Sequence, residues 1–143
     1  MNRGIDVITL AVADLERSLA FYRAALGLET SGIVATEFEG DELNAAGAVV
    51  MFELEGGLTL ALYPRTELAK DAGIPLQPPG SGAFSVGRLV AERRDVDDLL
   101  AKAAAAGGSV IGEPRDRPWG IYSGYFSDPD GHLWEIIHNP PTG

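Results

Sequence analysis

The sequence contains no cysteine. That absence removes disulfides, thiolate nucleophiles and sulfur-ligated zinc from consideration. Histidine is scarce: His132 and His138 are the only two, so an imidazole-based metal centre has little to draw on. No apolar run approaches the ~18 residues that a membrane span needs. The opening stretch MNRGIDVITLAVADLERS carries an acid at Asp6 and lacks the long apolar core and small-residue cleavage site of a secretion signal. Cations are few as well, with 11 Lys and Arg against 21 Asp and Glu and a net charge of −10. Such a surface repels phosphate backbones and anionic lipids, which argues against nucleic acid and membrane as partners. The charge serves solubility, and a cytoplasmic location is expected.

What the chain does have is one recurring pattern. Its 143 residues are 45% apolar, enough for one compact core. Ile5 to Val12 alternates and is β-branched, which predicts a strand. Asp14 then caps a helix whose apolar side holds Leu15, Leu19, Tyr22 and Leu26, with Gly27 as its stop. Extended segments are predicted at Leu28 to Phe38, Gly47 to Leu54 and Leu58 to Tyr63, with Gly56-Gly57 as a turn. A Pro- and Gly-dense linker, Pro64 to Gly82, has room for one short helical turn near Glu67 to Ala72.

After the linker the pattern returns. Phe84 to Arg93 reads as a strand, and Asp95 reads as the cap of a helix running to Gly107-Gly108. Short strands fit Ser109 to Glu113, Ile121 to Ser127 and Leu133 to His138, the last two joined by the turn Asp128-Pro129-Asp130-Gly131. The segment GLTLALYP from Gly57 aligns with GHLWEIIH from Gly131, which sets Ala61 against Glu135. The chain therefore reads as a duplicated strand-helix-three-strand unit, in which each half needs the other to cover its sheet.

Two stretches carry a family resemblance: VITLAVADLERSLAFYRAALGL from Val7 to Leu28, and GYFSDPDGHLWEI from Gly124 to Ile136. They resemble the vicinal oxygen chelate superfamily of glyoxalase I, extradiol dioxygenases, fosfomycin-modifying enzymes and bleomycin-binding resistance proteins. The resemblance implies an α+β fold of two paired βαβββ modules, their mixed sheets curled into a cup and often completed by a homodimer. It implies one domain over residues 1–143, with module one at about 1–63, a linker at 64–82 and module two at 83–143. Metal-dependent relatives place up to four His, Glu or Gln ligands in the cup. The matching positions here are Val7, Ala61, a fifth-strand window from Ser85 to Arg88, and Glu135. Glu135 alone keeps a ligand side chain. The resemblance thus implies a cup with no metal and no other cofactor.

Strand parity tests whether the histidines could help. Leu133, Glu135 and Ile137 share one face, while His132, Trp134, Ile136 and His138 share the other. Neither histidine can join Glu135 on a regular strand, and His132, beside the turn, is expected at the surface. Pairing through the turn sets Tyr125 opposite Glu135 and Phe126 opposite Trp134. A carboxylate in an apolar cup must be paired, hydrogen-bonded or protonated. Glu135 therefore reads either as an anchor or base for a ligand, or as a structural relic. Trp119 and Tyr122 lie among Arg115 and Arg117, a mixture that suits planar or cationic ligands, or that packs the loop onto the sheet. Arg88 faces either the cup, as an anion contact, or outward.

Three functions follow as expectations. The first is a binding protein that takes a small organic molecule in the cup, contacted by Val7, Ala61, Ser85, Arg88, Trp119, Tyr122, Tyr125 and Glu135. The second is a metal-free lyase, isomerase or cyclase with Glu135 as base and Tyr125 as acid or oxyanion donor. The third is a metal-dependent glyoxalase or dioxygenase, which three missing ligands disfavour.

Overall fold

The computed structural model describes residues 3–42 and 44–140. The elements run β1 (Val7–Val12), α1 (Leu15–Leu26), β2 (Ile33–Val34), β3 (Val49–Glu53), β4 (Thr59–Pro64), α2 (Arg65–Ala72), β5 (Val86–Val90), α3 (Arg93–Ala105), β6 (Ser109–Asp116), β7 (Tyr122–Ser127) and β8 (Leu133–His138). They form two four-stranded mixed sheets of the same topology, β1-β4-β3-β2 and β5-β8-β7-β6, in an α+β fold. Among the described residues no helix is long and apolar enough to cross a membrane. The chain divides into two compact units, residues 1–20 with 28–79, and residues 21–27 with 80–143.

In the first unit β1 lies parallel to β4, and β4, β3 and β2 follow antiparallel. Alternation sorts the side chains. Leu10, Val12, Val50, Phe52, Leu60 and Leu62 are almost wholly buried, while Val7 and Met51, of the other parity, stay half exposed. Each large buried side chain contributes about 1.5–3 kcal/mol by leaving water. Asp14 caps α1 as expected, its Oδ1 accepting from the Arg17 amide at 3.1 Å. The strand predicted over 28–38 shrinks to Ile33–Val34. Gly32 before it and Ala35 after it both take positive φ, at 94° and 60°, and so leave the extended region.

The linker holds more order than its composition suggests. Arg65–Ala72 forms eight helical residues, because RTELAKDA is rich in strong helix formers and ends at Gly73 in the left-handed region. Glu67 fixes this helix in place by accepting from the Ala46 amide at 2.9 Å.

In the second unit β5 lies parallel to β8, and β8, β7 and β6 follow antiparallel. The hairpin register is the one parity predicted: Ser127 faces Leu133, Phe126 faces Trp134 and Tyr125 faces Glu135. Helix α3 begins earlier than expected, at Arg93. Asp95 is not its cap residue but sits inside the first turn, where Oδ2 accepts from the Glu92 amide at 3.0 Å. An acid three residues in can fold back on the helix start as effectively as one before it. β6 runs on to Asp116, with an irregularity between Ile111 and Arg115.

The turn before β8 is built on a buried acid. Asp128 Oδ1 accepts from the amides of Asp130 at 2.9 Å and His132 at 2.8 Å. Its Oδ2 accepts from the Tyr22 hydroxyl at 2.6 Å, and Trp134 Nε1 donates to that same hydroxyl at 3.1 Å. His132, expected at the surface, is buried with Nδ1 3.1 Å from Asp128 Oδ2. The turn folds its ring back onto the carboxylate, which strand parity alone could not foresee. Phe126 and Trp134 stack at 6.0 Å beside these groups, with Tyr22 tilted against Trp134 at 5.8 Å.

Burial and the Asp128 carboxylate hold the Tyr22 phenol protonated far above its ordinary value of 10.0. Unfolded Tyr22 would ionise near 10, so its contribution to stability is complete below pH 10 and is lost as pH rises beyond it. Chemical denaturation across pH 8–11 is expected to show a steep alkaline loss that Tyr22→Phe blunts. At neutral pH the same variant is expected to cost about 1–3 kcal/mol, because Asp128 and Trp134 each lose a partner. Equal alkaline slopes in the two proteins would count against this linkage.

Candidate functional site

β8 delivers Glu135 to one face of the second sheet, and the register names its neighbours. Across the sheet, Gly87 of β5, Glu135 of β8, Tyr125 of β7 and Ile111 of β6 form one row. Leu89, Ile137, Ser123 and Arg115 form the next. Side chains in register share a face, so these eight residues surround one another.

A polar chain crosses that face. Ser123 Oγ donates to Glu135 Oε2 at 2.8 Å and accepts from Arg117 Nε at 3.0 Å. The Arg117 guanidinium stands 5.7 Å from the centre of the Tyr125 ring, within cation–π range. The carboxylate is therefore hydrogen-bonded rather than stranded in an apolar cup. Burial raises the Tyr125 pKa above its ordinary 10.0, as do the Glu135 charge and a hydrogen bond to it; Arg117 and Arg115 pull it part of the way back. At neutral pH Tyr125 is thus a protonated phenol beside a carboxylate.

Gly87 is in register with Glu135 on the other flank and places no side chain there. A Cβ built there would meet Ile137 Cδ1 at 3.5 Å and the Glu135 carbonyl at 4.0 Å, which are ordinary contacts. Its φ is not positive either. A strand-interior glycine weakens the strand, and neither crowding nor backbone geometry requires this one.

The other expected residues separate by parity. Arg88 points away from Glu135, and its Nη1 donates to the Leu26 carbonyl at 2.8 Å, at the end of α1. Tyr122 shares that opposite face, donating to Asp97 Oδ1 at 2.7 Å with the Arg93 guanidinium 3.8 Å above its ring. Ser85 is exposed just ahead of β5. Trp119 sits in the tight turn Pro118–Gly120 in the left-handed region, φ 64°, and is 90% exposed, so it does not pack onto the sheet. In the first unit Ala61 is buried between Thr9 and Met51, while Val7 pairs with Thr59 and is exposed. Ser123 and Gly87 went unnoticed in the sequence. Parity was the available signal: Ser123 lies two residues from Tyr125, and Gly87 lies within the fifth-strand window.

The donor set does not match a divalent metal centre, which wants about three protein ligands. Val7, Ala61 and Ser85 offer no imidazole or carboxylate, and Glu135 is already engaged by Ser123. Among the described residues no group of three or more His, Cys, Asp or Glu could hold a metal ion.

Comparison with known proteins agrees with this architecture. A putative glyoxylase, CFP32, of Mycobacterium tuberculosis is 28% identical over 124 residues, spanning 87% of this chain and 40% of that protein. The lactoylglutathione lyase GLX1 of Arabidopsis thaliana is 26% identical over 142 residues, spanning 99% of this chain and 46% of that protein. The chain thus covers less than half the length of these relatives. The crystal structure of a glyoxalase-related enzyme from Fulvimarina pelagi superposes with a TM-score of 0.79 at 29% identity, covering 96% of this chain and 89% of that one. A family model matches residues 4–136, and the chain belongs to the Glyoxalase/Bleomycin resistance protein/Dioxygenase superfamily.

Proposed function

We propose that the chain binds a small organic molecule on the Glu135 face of its second sheet, without a metal. The observation that carries this reading is the missing side chain at Gly87 beside an oriented carboxylate. Ser123 fixes one oxygen of Glu135, and the missing side chain at Gly87 leaves its flank open to a ligand. An exposed tryptophan, Trp119, adds a surface on which a planar group could stack. A homodimer and a cytoplasmic location belong to the same proposal. Half-exposed Val7, Met51 and Phe84 supply apolar surface of the kind that subunit contacts cover.

A second reading has its own support. A carboxylate and a protonated phenol face each other across one strand pair, the disposition a proton-transfer enzyme needs. The lyase and glyoxylase named among the relatives favour that chemistry. Glu135 would take a proton from carbon or oxygen, and Tyr125 would hydrogen-bond the oxygen on which charge develops.

Elemental analysis of the purified protein is expected to find metal well below one ion per chain, and added nickel, zinc or manganese to leave the unfolding temperature unchanged. One tightly held ion per chain would overturn the metal-free proposal. Gly87→Val is expected to fold normally, judged by circular dichroism, and to lose the thermal stabilisation that a panel of small organic compounds gives the parent protein. Stabilisation retained in full would place the ligand elsewhere. For the acid–base pair, alkaline absorbance titration of the protein and its Tyr125→Phe variant isolates the Tyr125 phenol. Removing the neighbouring charge with Glu135→Gln is expected to lower that pKa, and an unchanged midpoint would sink the coupling.

A further inference from the structure

The charges around Glu135 are arranged in a way that the overall composition does not suggest. In a chain with 21 acids and 11 Lys and Arg, two arginines lie on the Glu135 face of the second sheet. Arg115 is in register with Ser123, whose hydroxyl reaches Glu135, so its guanidinium projects on the same side. Arg117 has the same parity and donates to Ser123 directly. The residue between them, Asp116, faces the other way, and Arg93 binds it through two bonds of 2.6 and 3.0 Å. Alternation at the end of β6 therefore turns Asp116 off this face and keeps Arg115 and Arg117 on it.

The two arginines differ in what they already hold. Arg117 spends Nε and Nη2 on Ser123 and keeps its plane near the Tyr125 ring. Arg115 is exposed, and its side chain makes no hydrogen bond or ion pair with any described residue. Both are nevertheless close enough to lower the Tyr125 pKa, so their positive potential reaches the site.

Resting on the ligand site proposed above, we propose that Arg115, backed by Arg117, is an anion-recognition point and that the ligand is a small organic acid. Its carboxylate meets the Arg115 guanidinium, which can grip both oxygens at once. Arg115 and Glu135 stand two strands and one row apart, about 12 Å between backbones. Two long side chains narrow that span to the length of a small molecule. The donor facing Glu135, a hydroxyl or an acidic C–H, thus lies a few bonds from the carboxylate, as in a 2- or 3-hydroxy acid.

The test pairs acids with their uncharged amides, using lactate with lactamide and mandelate with mandelamide. Thermal shift and titration calorimetry are run on the parent protein, Arg115→Gln and Gly87→Val. The acids are expected to bind and the amides to bind at least tenfold more weakly. Arg115→Gln is expected to weaken the acids by about tenfold while leaving the unfolding temperature of the unliganded protein unchanged. Added salt is expected to weaken the acids and not the amides. Amides that bind as well as acids, with Gly87→Val abolishing both, would overturn the anion assignment and leave the ligand site standing. Acid binding unaffected by Arg115→Gln would overturn it too. Failure of every compound to bind the parent protein would count against both proposals together.

Discussion

The second unit is organised around the carboxylate of Asp128, which is 3% exposed and could not stay there unpaired. Two amides of its own turn, the His132 ring and the Tyr22 hydroxyl converge on it. Those bonds fix where the turn ends and therefore which residue begins β8. Strand parity then follows without further choice. Starting β8 one residue earlier or later would send Glu135 to the helix-covered face and Trp134 to solvent. The Glu135 face thus depends on a hydrogen-bonded cluster that contributes no atom to it.

Once the register is set, the two faces of the second sheet become chemically distinct. One holds Phe126, Trp134 and Ile136 in the core, with Arg88 and Tyr122 tied to neighbouring helices by hydrogen bonds. The other holds Glu135, Ser123, Tyr125, Arg115 and Arg117. Polar groups on the core face satisfy backbone and side-chain partners and close the structure. On the second face they form a chain that ends at solvent, where a ligand could complete it.

Membership in the superfamily accounts for the duplicated topology and leaves the chemistry open, since one scaffold hosts many reactions. In this chain Val7, Ala61 and the Ser85–Arg88 window carry no His, Glu or Gln, while Glu135 carries a carboxylate. Glu135 itself is held by a hydrogen bond. Ser123 supplies the donor, and Arg117 orients the serine.

Local chemistry made much of the fold legible in the sequence. Asp14 and Gly27 bracket α1, alternation marks β1, β4 and β8, and the Asp128–Gly131 turn fixes the Tyr125–Glu135 pairing. These depend on near neighbours, whose spacing the chain itself sets. Other features waited for tertiary structure because they rest on distant residues or on backbone freedom. The predicted second strand collapsed where Gly32 and Ala35 turned to positive φ, and the helical turn expected near Glu67 to Ala72 became eight residues that Glu67 ties to the Ala46 amide. His132 was buried by Asp128, and Arg88 was claimed by the end of α1. The sequence alone determined that Glu135 would stand opposite Tyr125. Only the folded sheet decided that Ser123 would hold that carboxylate and Arg117 the serine, because β7 beside β8 and β6 beside β7 bring them within reach.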